Sequence, residues 1–156
     1  MMRLSTTLFL LLSSMACDDD PKLSTDDCDG RPVADGQELT VQLTELGYLG
    51  YVDTGASLSD VYQMIITDEK EWAAMTASWG SDGGLSPDFS SQAVFVNAWV
   101  FGGCGEAYLY GAWQWDEALR VRAEYTSDSA VCDAYFPQAD LMLLPLDGAT
   151  DLGWCE

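Results

Sequence analysis

Cysteines and carboxylates dominate the chemically reactive residues of this chain. Its 156 residues include five Cys and 26 Asp or Glu, but no His. Without an imidazole the chain cannot form a Ser-His-Asp or Cys-His catalytic arrangement, a His-ligated zinc site or a histidine pH switch. Any catalysis would therefore have to use carboxylates, hydroxyl groups or tyrosine alone.

Two short carboxylate motifs are the candidates for such catalysis. The run Asp53-Thr54-Gly55-Ala56 is similar to the catalytic loop of aspartic proteases, but that reaction needs two Asp that share a proton, and the chain has one copy. We interpret this run as an ordinary turn. Asp116-Glu117 stands where a hairpin turn is predicted, and acidic residues are common in turns. The sequence therefore predicts no catalytic residue and no enzyme activity.

Residues 1–16 have the organisation of a secretory signal peptide. A basic residue, Arg3, precedes an apolar stretch at residues 8–12, and small residues follow it. The apolar stretch is too short to span a bilayer as a helix, which takes roughly 20 residues. We therefore expect this segment to direct export and then to be removed.

Cys17 directly follows the predicted signal peptide. Ala16 followed by Cys17 resembles the lipobox of bacterial lipoproteins. In that family the Cys thiol takes up a diacylglyceryl group and becomes the mature N-terminus. The resemblance implies lipidation at Cys17 and a protein anchored by lipid in the cell envelope, on its periplasmic or outer surface. An ordinary cleaved signal, followed by a free or paired Cys, is the alternative.

The remaining cysteines form an even set: Cys28, Cys104, Cys132 and Cys155. An even number of cysteines in an exported chain indicates disulfide bonds. Of the three possible pairings we favour Cys104–Cys132 within the sheet region and Cys28–Cys155 joining the two ends of the domain. A metal site built from all four thiolates is the alternative, but it lacks the C-x-x-C spacing typical of such sites. We predict no metal and no cofactor.

The charge of the chain restricts its partners. Six basic residues against 26 acidic ones leave a net charge of −20 at pH 7. This charge opposes binding to nucleic acid and to anionic lipid surfaces, and it favours cationic proteins. Acidic chains are often disordered, but 48% hydrophobic and 12% aromatic residues predict a folded chain here. We expect an extended acidic tether at residues 17–36 and one domain at residues 37–156.

Most of the predicted domain has the pattern of β-strands. The first strand has Leu39, Val41 and Leu43 alternating with polar residues, which predicts one buried face. Further strands follow from apolar or alternating runs bounded by turn residues. The predicted strands lie near residues 37–44, 61–66, 93–101, 106–115, 118–126 and 140–146.

One helix is predicted between the second and third strands, at residues 68–79. Trp72 and Trp79 fall on one helical face, Thr67 or Asp68 can cap the N-terminus, and Gly80 can end the helix. One amphipathic helix and about six strands predict an α+β fold dominated by antiparallel sheet.

The strand at 106–115 carries four large aromatic residues. Tyr108 and Tyr110 alternate with Trp113 and Trp115 between the two faces of the strand. One face must be core, and an exposed opposite face would offer rings to a protein or a glycan. We favour coverage of both faces by a helix or a second sheet, and pairing of the neighbouring arginines with acids. The candidate binding surface consists of Tyr108, Tyr110, Trp113, Trp115, Arg120 and Arg122.

The order of the elements between residues 60 and 146 carries a family resemblance. The helix with Glu71-Trp72 is followed by Pro87-Asp88-Phe89-Ser90, the apolar strand at 93–101, a Gly-rich turn and the run Asp-Leu-Met-Leu-Leu-Pro at 140–145. This order resembles the PrcB-type C-terminal domain, named for a lipoprotein that binds and stabilises a secreted protease complex. The resemblance implies a non-catalytic lipoprotein that binds and stabilises an exported partner protein, such as a protease.

Two other functions are compatible with the composition. The strong negative charge suits an acidic inhibitor of a cationic exported enzyme such as lysozyme. Aromatic residues on an exposed strand suit a glycan-binding module. We rank both behind the partner-stabilising function.

Overall fold

The computed structural model of the chain describes residues 22–24, 27–48, 62–101, 107–126 and 136–155. Several sequence predictions fall outside these residues: the signal peptide, lipidation at Cys17, the turn at residues 53–56 and the Cys104–Cys132 bond.

The described residues form ten strands in three sheets and one α-helix. In chain order the strands are β1 (Asp27–Cys28), β2 (Arg31–Pro32), β3 (Gln37–Glu38), β4 (Gln42–Tyr48), β5 (Tyr62–Ile66), β6 (Gln92–Phe101), β7 (Ala107–Trp115), β8 (Ala118–Thr126), β9 (Phe136–Pro145) and β10 (Asp151–Trp154). The helix α1 spans Glu69–Trp79, and a 3₁₀ helix spans Val33–Asp35.

The predicted class, mostly antiparallel sheet with one helix, is confirmed, but the count of about six strands was too low. The six long strands β4 to β9 correspond to the predicted ones. The other four contain only two to four residues each. Strands of this length show no period of their own in the sequence, and β3 and β10 also pair with strands far along the chain. One of them, β10, pairs with β8 in parallel.

Two four-stranded sheets face each other across the main core. Sheet 1 has the order β4-β9-β6-β5, and sheet 2 has the order β10-β8-β7-β3. The side chains between the sheets are apolar at the centre: Ala93, Phe95, Ala112, Leu119, Val121, Met142 and Leu144 are all buried. The outer face of sheet 1 is covered by α1 through Trp72 and Trp79, which pack on Val94, Val96 and Leu141.

The first predicted strand is divided between the two sheets. Gln37–Glu38 pairs with β7 in sheet 2, whereas Gln42–Tyr48 pairs with β9 in sheet 1. The chain crosses between the sheets around Leu39, which is buried in the core. The prediction that Leu43 is buried was wrong: its side chain is 42% exposed, because β4 is an edge strand of its sheet.

The helix begins and ends at the residues that the sequence indicated. The Asp68 carboxylate accepts a hydrogen bond from the backbone N–H of Glu71 at 2.9 Å, which caps the N-terminus. Gly80 ends the helix in the left-handed conformation, with φ of 68°, and its N–H donates to the carbonyl of Thr76.

Residues 27–36, here called the strap, cover the outer face of sheet 2. The strap contains the β1–β2 hairpin and the 3₁₀ helix, and its Cys28 and Val33 pack on Trp113 of β7. The domain thus begins earlier than the sequence predicted, since residues 27–36 lie against it and are not an extended tether. Gly111 of β7 permits the close approach of Leu23, which precedes the strap: a Cβ there would lie 2.4 Å from the Trp113 ring and 2.5 Å from Leu23.

A disulfide bond joins the strap to the C-terminal end of the chain. Cys28 and Cys155 are bonded, as predicted, across a sequence separation of 127 residues. Cys28 is fully buried, and the N–H of Cys155 donates to the carbonyl of Val121 in β8. The bond therefore closes almost the whole folded chain into one covalent loop.

Replacing both Cys28 and Cys155 by Ser is expected to lower the free energy of unfolding by about 5 kcal/mol. The physical reason is that the bond restricts the unfolded chain, and this effect grows with the length of the closed loop. Guanidinium denaturation followed by Trp fluorescence measures the loss. A double variant that unfolds at the same denaturant concentration as the wild type would show that this loop does not stabilise the fold.

Candidate functional site

The structure divides the six residues of the predicted binding surface between two layers. Tyr108 and Tyr110 point from β7 into the space between the sheets, where both contact other aromatic rings. The other four lie on the outer face of sheet 2, beneath the strap or beside it. The predicted alternation of β7 is therefore confirmed, but the six residues do not form one surface.

Arg120 is engaged entirely inside the domain. Its side chain is 8% exposed, its Nε lies 3.1 Å from Asp29 Oδ2 in the strap, and its Nη2 lies 2.9 Å from Asp151 Oδ2 in β10. The Nη1 group donates to the carbonyls of Leu119 and Asp151. The hydrogen bond from Arg120 lowers the pKa of Asp151 below its ordinary value. Arg120 thus holds the strap and the last strand together.

Arg122 fastens the chain just before the strap. Its guanidinium lies 5.8 Å from the centre of the Trp113 ring and donates to the carbonyls of Ser24 and Asp27. The N–H of Ser24 donates in turn to the Glu124 carboxylate at 2.8 Å. Both arginines therefore make internal contacts, but the predicted pairing with acids is seen for Arg120, whereas Arg122 donates to backbone carbonyls.

A row of polar side chains crosses the inner face of sheet 1. In the strand register Glu45 lies opposite Asp140, Asp140 opposite Asn97, and Asn97 opposite Gln63. Asn97 and Asp140 are buried. The Gln63 amide donates to Asn97 Oδ1 at 3.1 Å. We call these four residues the polar row.

Tyr110 of sheet 2 joins the polar row from the opposite side of the core. Its hydroxyl donates to Asp140 Oδ2 at 2.5 Å and accepts a hydrogen bond from the Asn97 amide at 2.9 Å. The tyrosine therefore links β7 of sheet 2 to both central strands of sheet 1. The sequence contained a weak signal of this contact, since Asn97 is the one polar residue of the otherwise apolar run at 93–101.

Burial shifts the pKa values of both titratable groups in this contact, Asp140 and Tyr110. Removal from water raises the pKa of Asp140, the hydrogen bond from Tyr110 lowers it in part, and the nearby Glu45 carboxylate raises it further. Burial and the Asp140 carboxylate together raise the pKa of Tyr110 far above its ordinary value. Tyr110 therefore keeps its proton and acts as a donor rather than as a base or a nucleophile. The arrangement connects the two sheets and leaves an acid in the core.

Asp140→Asn is expected to stabilise the protein at neutral pH and to lose that advantage in acid. Because the pKa of Asp140 is raised in the folded state, its favourable contribution is present below the unfolded pKa and is lost as pH rises through the folded pKa. Asn keeps an acceptor for Tyr110 and never ionises. Denaturation midpoints of both proteins from about pH 3 to about pH 8 measure the difference, which a constant offset at every pH would contradict.

An aromatic cluster closes the core beside the polar row. The rings of Trp99 and Tyr108 lie 4.8 Å apart, and those of Tyr108 and Tyr125 lie 5.5 Å apart. Tyr125 is 48% exposed, while Trp99 is buried and its indole N–H has no hydrogen-bond partner. The rings pack against one another at short distances, so the cluster contributes chiefly to packing.

The charges of the described surface are almost all negative. Exposed carboxylates occur on the strap, the edge strand β4, the helix and the turns, whereas the fully exposed basic residues within the described ranges are Lys22 and Lys70. Arg120 and Arg122 turn toward their own chain. A basic partner would therefore meet carboxylates over most of this surface.

Two further findings limit the chemistry of the described part of the chain. Among these residues no three His, Cys, Asp or Glu side chains come together in a way that could hold a metal ion. No helix within the described ranges has the length and the apolar character needed to cross a membrane.

Comparisons with known proteins provide no assignment. No protein-family model, no curated protein sequence and no solved structure matches the chain. The similarity to PrcB-type domains accordingly stays an expectation from the sequence.

Proposed function

We propose that this protein is an exported, lipid-anchored domain that binds and stabilises a second exported protein without catalysis. The order of elements that resembles PrcB-type domains suggests this function and suggests a protease as the partner. The lipid anchor would be carried by Cys17. The contacts of the described residues provide three arguments that are compatible with this proposal.

The distribution of charge is the observation that carries the proposal. The net charge is −20, Arg120 is paired with Asp29 and Asp151 of its own domain, and Arg122 donates to backbone carbonyls, so internal contacts occupy both arginines of β8. An acidic surface accelerates encounter with a basic partner and disfavours nucleic acid. The partner is therefore expected to present a basic surface.

The disulfide bond supports an exported location. Cys28 and Cys155 pair inside the strap contact, and structural disulfides persist in oxidising compartments outside the cytoplasm. This argument is independent of the signal-like residues 1–16. It is compatible with either side of an envelope membrane.

The position of the strap would keep the domain near its anchor. Cys28 lies eleven positions after Cys17, and an extended chain spans at most about 3.5 Å per residue. A lipid on Cys17 would thus hold Cys28 within about 40 Å of the membrane surface. A partner bound to the domain would be kept within the same layer of the envelope.

Affinity capture from gently solubilised native membranes tests the proposal. The tagged wild-type protein is expected to retain one exported protein in stoichiometric amount, and the yield is expected to fall with added salt because salt screens the charges. Mass spectrometry identifies the partner, whose abundance should drop in a deletion strain. Capture of no exported protein, together with unchanged abundance of all exported proteins, would contradict the proposal.

Cys17→Ser is the matched control for the anchor. This variant is expected to leave the membrane fraction and still to bind the same partner, because the domain itself is unchanged. A variant that stays in the membrane fraction would contradict lipidation at Cys17. Loss of partner binding by the soluble variant would show that the anchor contributes to recognition.

The acidic surface also favours a second candidate, inhibition of a cationic exported enzyme such as lysozyme. The two candidates differ in what happens to the partner, because a stabilised protein becomes more abundant and an inhibited enzyme loses activity. Binding to lysozyme that weakens with salt and exceeds binding to a neutral protein would favour inhibition. Equal weak binding to both proteins would exclude lysozyme as the target.

A further inference from the structure

The edges of the two sheets are where the described domain offers unpaired backbone. Helix α1 covers the outer face of sheet 1, the strap covers the outer face of sheet 2, and the inner faces cover each other. Within the two four-stranded sheets described here, four strands have one neighbour each: β4, β5, β3 and β10. An edge strand exposes N–H and C=O groups that can pair with another chain.

Three of these edges carry features that discourage pairing. Strand β4 has a bulge between Glu45 and Gly47, and an exposed carboxylate at Glu45. Strand β3 has two residues, and β10 has four, including Asp151 and Gly153. Bulges, charges and short length are the usual protections of a sheet edge.

Strand β5 lacks all of these protections. Its five residues, Tyr62–Ile66, contain no charge, no Pro and no Gly, and they pair with β6 without a register shift. Tyr62 is 38% exposed at the start of the strand. A flat, uncharged edge of this length is suited to the addition of one more strand.

A groove accompanies this edge on the helix side. It has a volume of about 240 Å³ and lies between β5 and α1. Its apolar lining includes Tyr62, Met64, Met75 and Trp79, and the exposed carboxylate of Glu71 stands at its rim. Because alternate residues of a strand point to the same face, every second side chain of an added strand would face this groove.

We propose that β5 is the docking strand of this protein, and that its occupant is an extended segment of a basic partner that places apolar residues and one Lys or Arg on the face toward the groove. Apolar side chains of that segment enter the groove, and a Lys or Arg pairs with Glu71. The proposal rests on the partner-binding function above and names the surface and the partner's chemistry. A second copy of this chain is the weaker occupant, because each copy carries a charge of −20.

Peptide binding to the purified, disulfide-bonded protein tests the proposal directly. The probes are a short synthetic peptide in which Val alternates with Thr and one groove-facing Val is replaced by Lys, and the same peptide with Glu in place of that Lys. Fluorescence anisotropy is expected to show binding of the Lys peptide and not of the Glu peptide. Hydrogen exchange is expected to show new protection of the backbone amides within Tyr62–Ile66 when the Lys peptide is bound.

Glu71→Lys and Glu117→Lys form a matched pair of variants. Both make the same change of charge at an exposed acid, the first at the groove and the second in the turn between β7 and β8. Glu71→Lys is expected to weaken Lys-peptide binding about tenfold, which is about 1.4 kcal/mol. Glu117→Lys is expected to change it less than about twofold, because a single exposed charge outside the groove is screened by salt. Thermal midpoints confirm that both variants fold.

Several results would overturn the proposal. Equal weakening by both variants would assign the binding to net charge alone, and protection outside Tyr62–Ile66 would place it elsewhere. Sedimentation showing a dimer with protected β5 amides would make a second copy the occupant. If Glu71→Lys captured the native partner as well as wild type does, that result would contradict the β5 site but not the partner-binding function. If the wild-type protein captured no partner, that result would contradict the partner-binding function itself.

Discussion

The attachment of the strap to the C-terminal strand is the constraint on which the outer half of this domain depends. The Cys28–Cys155 bond and the Arg120 contacts with Asp29 and Asp151 join the same two segments. A hairpin as short as β1–β2 is marginal by itself, so it needs these external connections to stay in place. Once held there, it buries Trp113 and leaves sheet 2 without an open face.

The inner half of the domain is held differently, by an apolar core that contains one polar contact between the sheets. Tyr110, Asn97 and Asp140 satisfy one another, so their burial avoids the large cost of an unpaired polar group. Such contacts add less stability than well-packed apolar residues would, but they require one alignment of the strands. A shift of β6 by one residue would move Asn97 to the helix face and break the contact with Tyr110. The contact is therefore compatible with one register of β6.

These two features determine what the domain can offer to other molecules. Arg120 and Arg122 of β8 make internal contacts, and most of the remaining charged residues at the surface are acidic. Within the described residues the faces of the two four-stranded sheets are largely covered, which leaves edges and loops for recognition. The acidic surface selects the charge of a partner, and an uncharged edge strand supplies a place where its backbone can pair. Binding through a strand edge needs no catalytic group, in keeping with a sequence that contains no histidine.

The sequence by itself determined the elements whose signals are local. Asp68 caps the N-terminus of the helix and Gly80 ends it, as predicted, because capping depends on residues within one turn. The side chains of β7 and β8 point alternately to the two faces of sheet 2, as their sequences indicate. The even number of cysteines indicated disulfide bonds, and the Cys28–Cys155 pair was the favoured one among the possible pairings. Only the tertiary structure decided the strap, the parallel strand β10, the exposure of Leu43, and the meeting of Tyr110 with Asn97 and Asp140. Each of these depends on contacts between residues far apart in the chain. A strand of two to four residues is also too short for its sequence pattern to predict which strand it pairs with.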